Sequence, residues 1–127
     1  MKHPLLTPLA ALALALAATG AAAQDPRHDY PSCDLPAQRN LTGQTGGTIT
    51  DPLQAHISVR ANILQADIGT ARKARRISER QAERLWHRVD KVRKDTDRFV
   101  RQQGFLSAAE RASYDRALDA VALKICR

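Results

Sequence analysis

The chain has 127 residues, with 20 Lys and Arg against 13 Asp and Glu, a formal charge of +7, and only 4% aromatic residues. That length holds one small domain, and the excess positive charge points to anionic partners. The two cysteines lack the C-x-x-C spacing of a thiol redox centre, and the scarce aromatics speak against a protein that stacks nucleic-acid bases.

Residues 1–23 have the pattern of a cleavable secretory signal peptide. Met1-Lys2-His3 is a short positive start, an uncharged Leu/Ala run extends from Pro4 to Thr19, and Ala21-Ala22-Ala23 ends it with small residues. The run is short and alanine-rich for a membrane span, so the processed chain is not expected to be membrane-spanning. Export implies an oxidising compartment, the bacterial periplasm or beyond, and there Cys33 and Cys126 are expected to form one disulfide. A staple suits a thin core, because only 20 large apolar side chains occur between Asp51 and Arg127.

From 24 to 50 the chain is rich in Pro, Gly and polar residues without periodicity, which predicts an extended, partly disordered arm. A short strand near Gly47–Thr50 is the one regular element left open there. From 51 to 127 the pattern is helical and predicts an all-α domain, an antiparallel three-helix bundle. Asp51-Pro52 is an N-cap and first-turn pair that opens a helix over about 52–75, with Leu53, Ile57, Leu64, Ile68 and Ala71 on one face. Ser78 and Gln81 form a capping box that opens a second helix, whose seam runs through Ala82, Leu85, Val89, Val92, Thr96 and Phe99 to a stop at Gly104. Ser107 and Glu110 repeat the box, and Tyr114, Leu118, Val121 and Ile125 carry a third helix to about Ile125. The last two units form a repeat offset by 29 residues, in which Ile77 matches Leu106, Val89 matches Leu118 and Asp90 matches Asp119.

The spacing Gly104-x-Leu106-Ser107-x-x-Glu110 is like the second half of a calcium-binding EF-hand loop. The preceding ligand positions, however, would be Phe99, Arg101 and Gln103, which cannot hold calcium. Over 63–125 the chain resembles a group of small exported bacterial helical proteins carrying two G-x-[LI]-[ST]-x-x-E units, with Ala71 and Arg75 where that group commonly has glycine. That resemblance implies no activity. Ile77-Ser78-Glu79-Arg80-Gln81 is also similar to the L-T-x-x-Q motif of periplasmic helical chaperones and stress regulators, which implies an envelope-stress or holdase role.

The charge is concentrated. From Arg72 to Arg101 there are 12 Lys/Arg against 5 Asp/Glu. Arg76, Arg80, Arg84 and Arg88 recur every four residues and are the anion-binding candidates, expected to stack along one helical face, with an ordinary solvated face as the alternative. Asp90–Lys94 and Asp97–Arg101 are spaced as ordinary ion pairs, and Glu79 and Glu83 lie near enough to the row to offset part of it. Trp86 is expected at the core margin. Glu83 and His87 share a helical face but make only two ligands, so no metal site is assigned, and no cofactor motif occurs. No Ser, Cys or carboxylate sits in a nucleophile context, so no catalytic residue is assigned and the chain is read as a non-enzyme. The expected partner is an anionic envelope component (lipopolysaccharide, anionic lipid or glycan) rather than nucleic acid. A client protein or a second copy of the chain is the alternative.

Overall fold

A computed structural model describes residues 30–126. Residues 1–23, expected to be a signal peptide, and residues 24–29 of the expected arm lie outside the described residues. In chain order come a 3₁₀ turn at Pro31–Cys33, α1 at Leu35–Arg39, α2 at Pro52–Lys73, α3 at Glu79–Gln103 and α4 at Ala108–Ala122. No strand occurs among the described residues, and the Gly46–Ile49 pairing is an isolated bridge around a tight turn at Gly47.

Each long helix starts where a side chain satisfies an orphan amide. Asp51 accepts from the Gln54 N–H, Ser78 from that of Gln81, and Ser107 from that of Glu110. At α4 the box is complete, because the Glu110 carboxylate also accepts from the Ser107 N–H at 2.8 Å. α3 stops at Gly104, whose φ of 88° is the left-handed conformation glycine adopts without strain. The α2 terminus uses the same geometry with a different residue. Arg75 has φ 58°, its N–H donates to the Arg72 carbonyl, and the Arg76 N–H reaches back to the Ala71 carbonyl. That pair of bonds is a Schellman motif with arginine at the left-handed position.

The expected stripes are the core. Ile57, Leu64, Ile68 and Ala71 of α2 meet Ala82, Leu85, Val89 and Val92 of α3 and Leu118 and Val121 of α4, all buried. α2 packs against both α3 and α4, and those two against each other. The heptad seam of α3 is therefore consumed within the chain. Thr96, the polar residue in that seam, turns its hydroxyl to the Arg93 carbonyl at 2.8 Å.

The segment expected to be extended contains the 3₁₀ turn and α1, and it is fastened down. Cys33 and Cys126 form a disulfide with a Cα–Cα distance of 5.6 Å. The Ser32 N–H donates to the buried Asp67 carboxylate of α2 at 2.9 Å, and Gln38 donates to the Pro31 carbonyl. Further along, Gly43 crosses α2 so closely that a Cβ there would lie 2.1 Å from the Ala55 carbonyl carbon. A five-residue helix has too few positions to show a stripe, and its order comes from these long-range ties. The final helix stops at Ala122, short of the expected end. Leu123–Ile125 then forms a tighter turn that carries Cys126 toward Cys33.

Candidate functional site

The two halves of α3 treat their charge differently. In the second half, Lys91 pairs with Asp95 at 2.7 Å, Lys94 with Asp90 at 2.8 Å and Arg98 with Asp95 at 3.2 Å. Arg93 folds over α2 to donate to Gln65 and Asn62, and burial holds its pKa below the ordinary guanidinium value. Asp97 does not take the expected partner, Arg101, but accepts from Gln54 of α2 at 2.7 Å.

In the first half, Arg80, Arg84 and Arg88 are exposed and pair with no carboxylate among the described residues. Arg84 and Arg88 line a shallow cavity of about 260 Å³ with Lys124. Arg76 and the same Lys124 line an adjoining one of about 310 Å³, and Gln81 borders both. Four cations therefore gather where α3 begins and the turn after α4 ends. Arg80 is on the same helix but lines neither cavity.

The expected row is interrupted at its start. Ser78 caps α3, so Arg76 belongs to the turn before the helix, where its guanidinium lies 5.0 Å from the centre of the Tyr30 ring. Four-residue spacing stacks side chains only inside one helix. Lys124 was not legible as a member of the group, since the disulfide-bound turn brings it there from more than thirty residues away.

Glu79 and Glu83 face away from these cavities. They line a groove of about 470 Å³ between α2 and α3, with Ile68, Gly69 and Ala82 and with Trp86 at the rim. Trp86 is 43% exposed, further out than the core margin expected for it. Glu83 and His87 stand 3.9 Å apart, both well exposed. No cluster of three or more potential metal ligands occurs among the described residues.

A second charged group has no counterpart in the expectations above. His56 and Arg60 of α2 face Asp115 and Asp119 of α4, all four buried. Arg60 donates to Asp115 at 2.6 Å and to Asp119 at 2.7 Å. Arg39 adds a 2.6 Å bond to Asp119, and Arg111 lies 3.2 Å from Asp115. The His56 ring spans the Leu41 carbonyl, 2.6 Å from Nδ1, and Asp115, 2.8 Å from Nε2. Both ring nitrogens therefore face oxygen atoms of neighbouring elements. Burial alone would raise the Asp115 pKa, but the bonds from His56 and Arg60 outweigh it and hold the carboxyl below its ordinary value. The signal for this group was two four-residue spacings, His56/Arg60 and Asp115/Asp119, each adjoining an apolar stripe. Charged residues at inward positions announce a partner across the core.

No family model, no curated protein and no solved structure matches this chain.

Proposed function

We propose that this protein is exported to the bacterial periplasm or beyond after loss of residues 1–23, and that it acts there as a non-enzymatic binding protein. The proposed arrangement is an antiparallel three-helix bundle with the disulfide-tethered segment before α2 as its N-terminal arm. Short connections between helices that all touch one another support it. A disulfide closing 93 residues fits an oxidising compartment, and no helix of the described residues is long and apolar enough to cross a membrane.

The proposed contact surface is the basic face of Arg76, Arg80, Arg84, Arg88 and Lys124, and the proposed partner is an anionic envelope component: lipopolysaccharide, anionic lipid or polyanionic glycan. One observation carries this reading. Within a single helix Lys91, Lys94 and Arg98 are paired with carboxylates, while Arg80, Arg84 and Arg88 are left bare. Like charges at four-residue spacing repel by a few tenths of a kcal/mol per pair, a cost that an anionic ligand reverses. The holdase and assembly alternatives draw less support. Among the described residues Trp86, Phe105 and Leu123 are the exposed large apolar ones, spread over different elements, and the α3 seam is already buried.

The test is binding of the oxidised protein to lipopolysaccharide, anionic vesicles and a sulfated glycan over a salt series, with duplex DNA alongside. The expected result is saturable binding to one envelope partner that persists at physiological salt. Binding that vanishes for every partner as salt screens the surface contradicts it.

A further inference from the structure

The ionic group between α2 and α4, buried at its centre and open at Arg39 and Arg111, is not balanced, and its surplus faces a cleft. Three guanidinium groups, those of Arg39, Arg60 and Arg111, meet two carboxylates, those of Asp115 and Asp119. One positive charge is left over. Above the group lies a cleft of about 330 Å³ between the 39–43 segment and the start of α2. Arg39, Arg111 and His56 line it, together with Asn40 and Thr42, and neither aspartate does.

The donors that reach this cleft are only partly used. Arg39 spends Nε and Nη2 on a single oxygen of Asp119, and Arg111 spends Nη2 on the Arg39 carbonyl. Nη1 of each guanidinium makes no hydrogen bond among the described residues, nor do the side chains of Asn40 and Thr42. The side chains are also held in place: Arg39 by Asp119, Arg111 by a carbonyl and Asp115, and His56 by contacts on both ring nitrogens. Fixed donors with excess positive charge at the mouth of a concave site are what a compact oxyanion needs, because little ordering remains to oppose binding.

We infer that this cleft is a binding site for a small oxyanion, a carboxylate or phosphate group, held by Arg39 and Arg111 with His56 at the floor. It is separate from the basic face of α3. That face lies where α3 begins and α4 ends, and the cleft lies where α2 and α4 begin. The group size fits, since about 330 Å³ is at the low end of small-molecule pockets. Asn40 and Thr42 supply neutral donors or acceptors beside the charge, which would orient the remainder of the ligand.

The experiment is a two-dimensional amide NMR titration of the oxidised protein. Inorganic phosphate and succinate serve as free anions, vesicles containing phosphatidic acid present the same phosphate on a surface, and sodium chloride at matched ionic strength is the control. The expected result is saturable shifts confined to Asn40–Gly43, His56 and Arg111 with at least one of the three anionic probes and not with chloride. Arg39→Gln and Arg111→Gln should each weaken that binding about tenfold, the loss of one charge-assisted contact. Arg84→Gln should leave it unchanged, which keeps the outcome independent of the proposal for the basic face. If a variant fails to fold, the map on the unaltered protein decides. Linear shifts that chloride reproduces, or saturable shifts centred on Arg84 and Arg88, overturn the inference.

Discussion

Asp115 accepts from His56 and from Arg60 at once, with the Arg111 guanidinium nearby, and its removal leaves buried donors without an acceptor. Deleting one partner of a buried ion pair costs about 3–5 kcal/mol, far more than an exposed pair is worth. Asp115→Ala should therefore lower the unfolding free energy measured in denaturant melts by that order, whereas Asp95→Ala, which breaks only exposed pairs, should cost about 1 kcal/mol or less. The acid limb of the stability curve has the same origin. Asp115 has a folded-state pKa below its unfolded value, so its contribution is complete above about pH 4 and disappears as pH falls through the folded value. Glu110 acts in the same direction, because the Ser107 backbone N–H holds its carboxyl below the usual range. Melting temperature measured downward from pH 5 should fall, and the fall should be shallower in Asp115→Ala. Arg75 is a third case at this scale. Its left-handed backbone strains an L-residue, so Arg75→Gly should stabilise by about 0.5–1 kcal/mol, the strain relieved less the extra freedom of the unfolded chain. Denaturant melts of the pair would measure it.

Among the elements, those legible in the sequence were the ones that announce themselves locally. Asp51-Pro52, Ser78, Ser107 and Gly104 each mark a helix end through a bond or a torsion within four residues, and the structure places the ends there. The apolar stripes were equally local, since 3.6-residue periodicity needs no knowledge of the partner helix. The 3₁₀ turn and α1 were not legible. Their order depends on Asp67, Asp119 and Cys126, which are 35 or more positions away from the residues they hold. The same limit hid the His56–Arg60–Asp115–Asp119 group. Arg76 was misplaced for a different reason: the Ser78 cap that ends its helical register was itself visible, and four-residue spacing was carried across it. Gly43 is the point where the 40–50 segment meets α2, and only a glycine fits against the Ala55 carbonyl. Gly43→Ala should force the segment off the helix at a cost of about 1–3 kcal/mol, with amide exchange rising selectively over Leu41–Thr45.

For the whole molecule, the long-range ties run through the disulfide and the charged group, because the apolar core is narrow. Closing a 93-residue loop restricts the unfolded chain by an amount worth about 4–5 kcal/mol at most. Cys126→Ser should lower the melting temperature of the oxidised protein, and a reductant should do the same to the parent but not to the variant. The charge distribution is the molecule's other global property. Carboxylates cover Lys91, Lys94 and Arg98 in the later half of α3, and Arg80, Arg84 and Arg88 in the first half are bare. That contrast is the basis for assigning the protein a binding role. The most direct test is the double reversal Arg84→Glu, Arg88→Glu, with lipopolysaccharide affinity and melting temperature measured at physiological salt. The predicted result is an affinity lower by about tenfold or more with an unchanged melting temperature. Affinity equal to that of the parent would contradict the assignment.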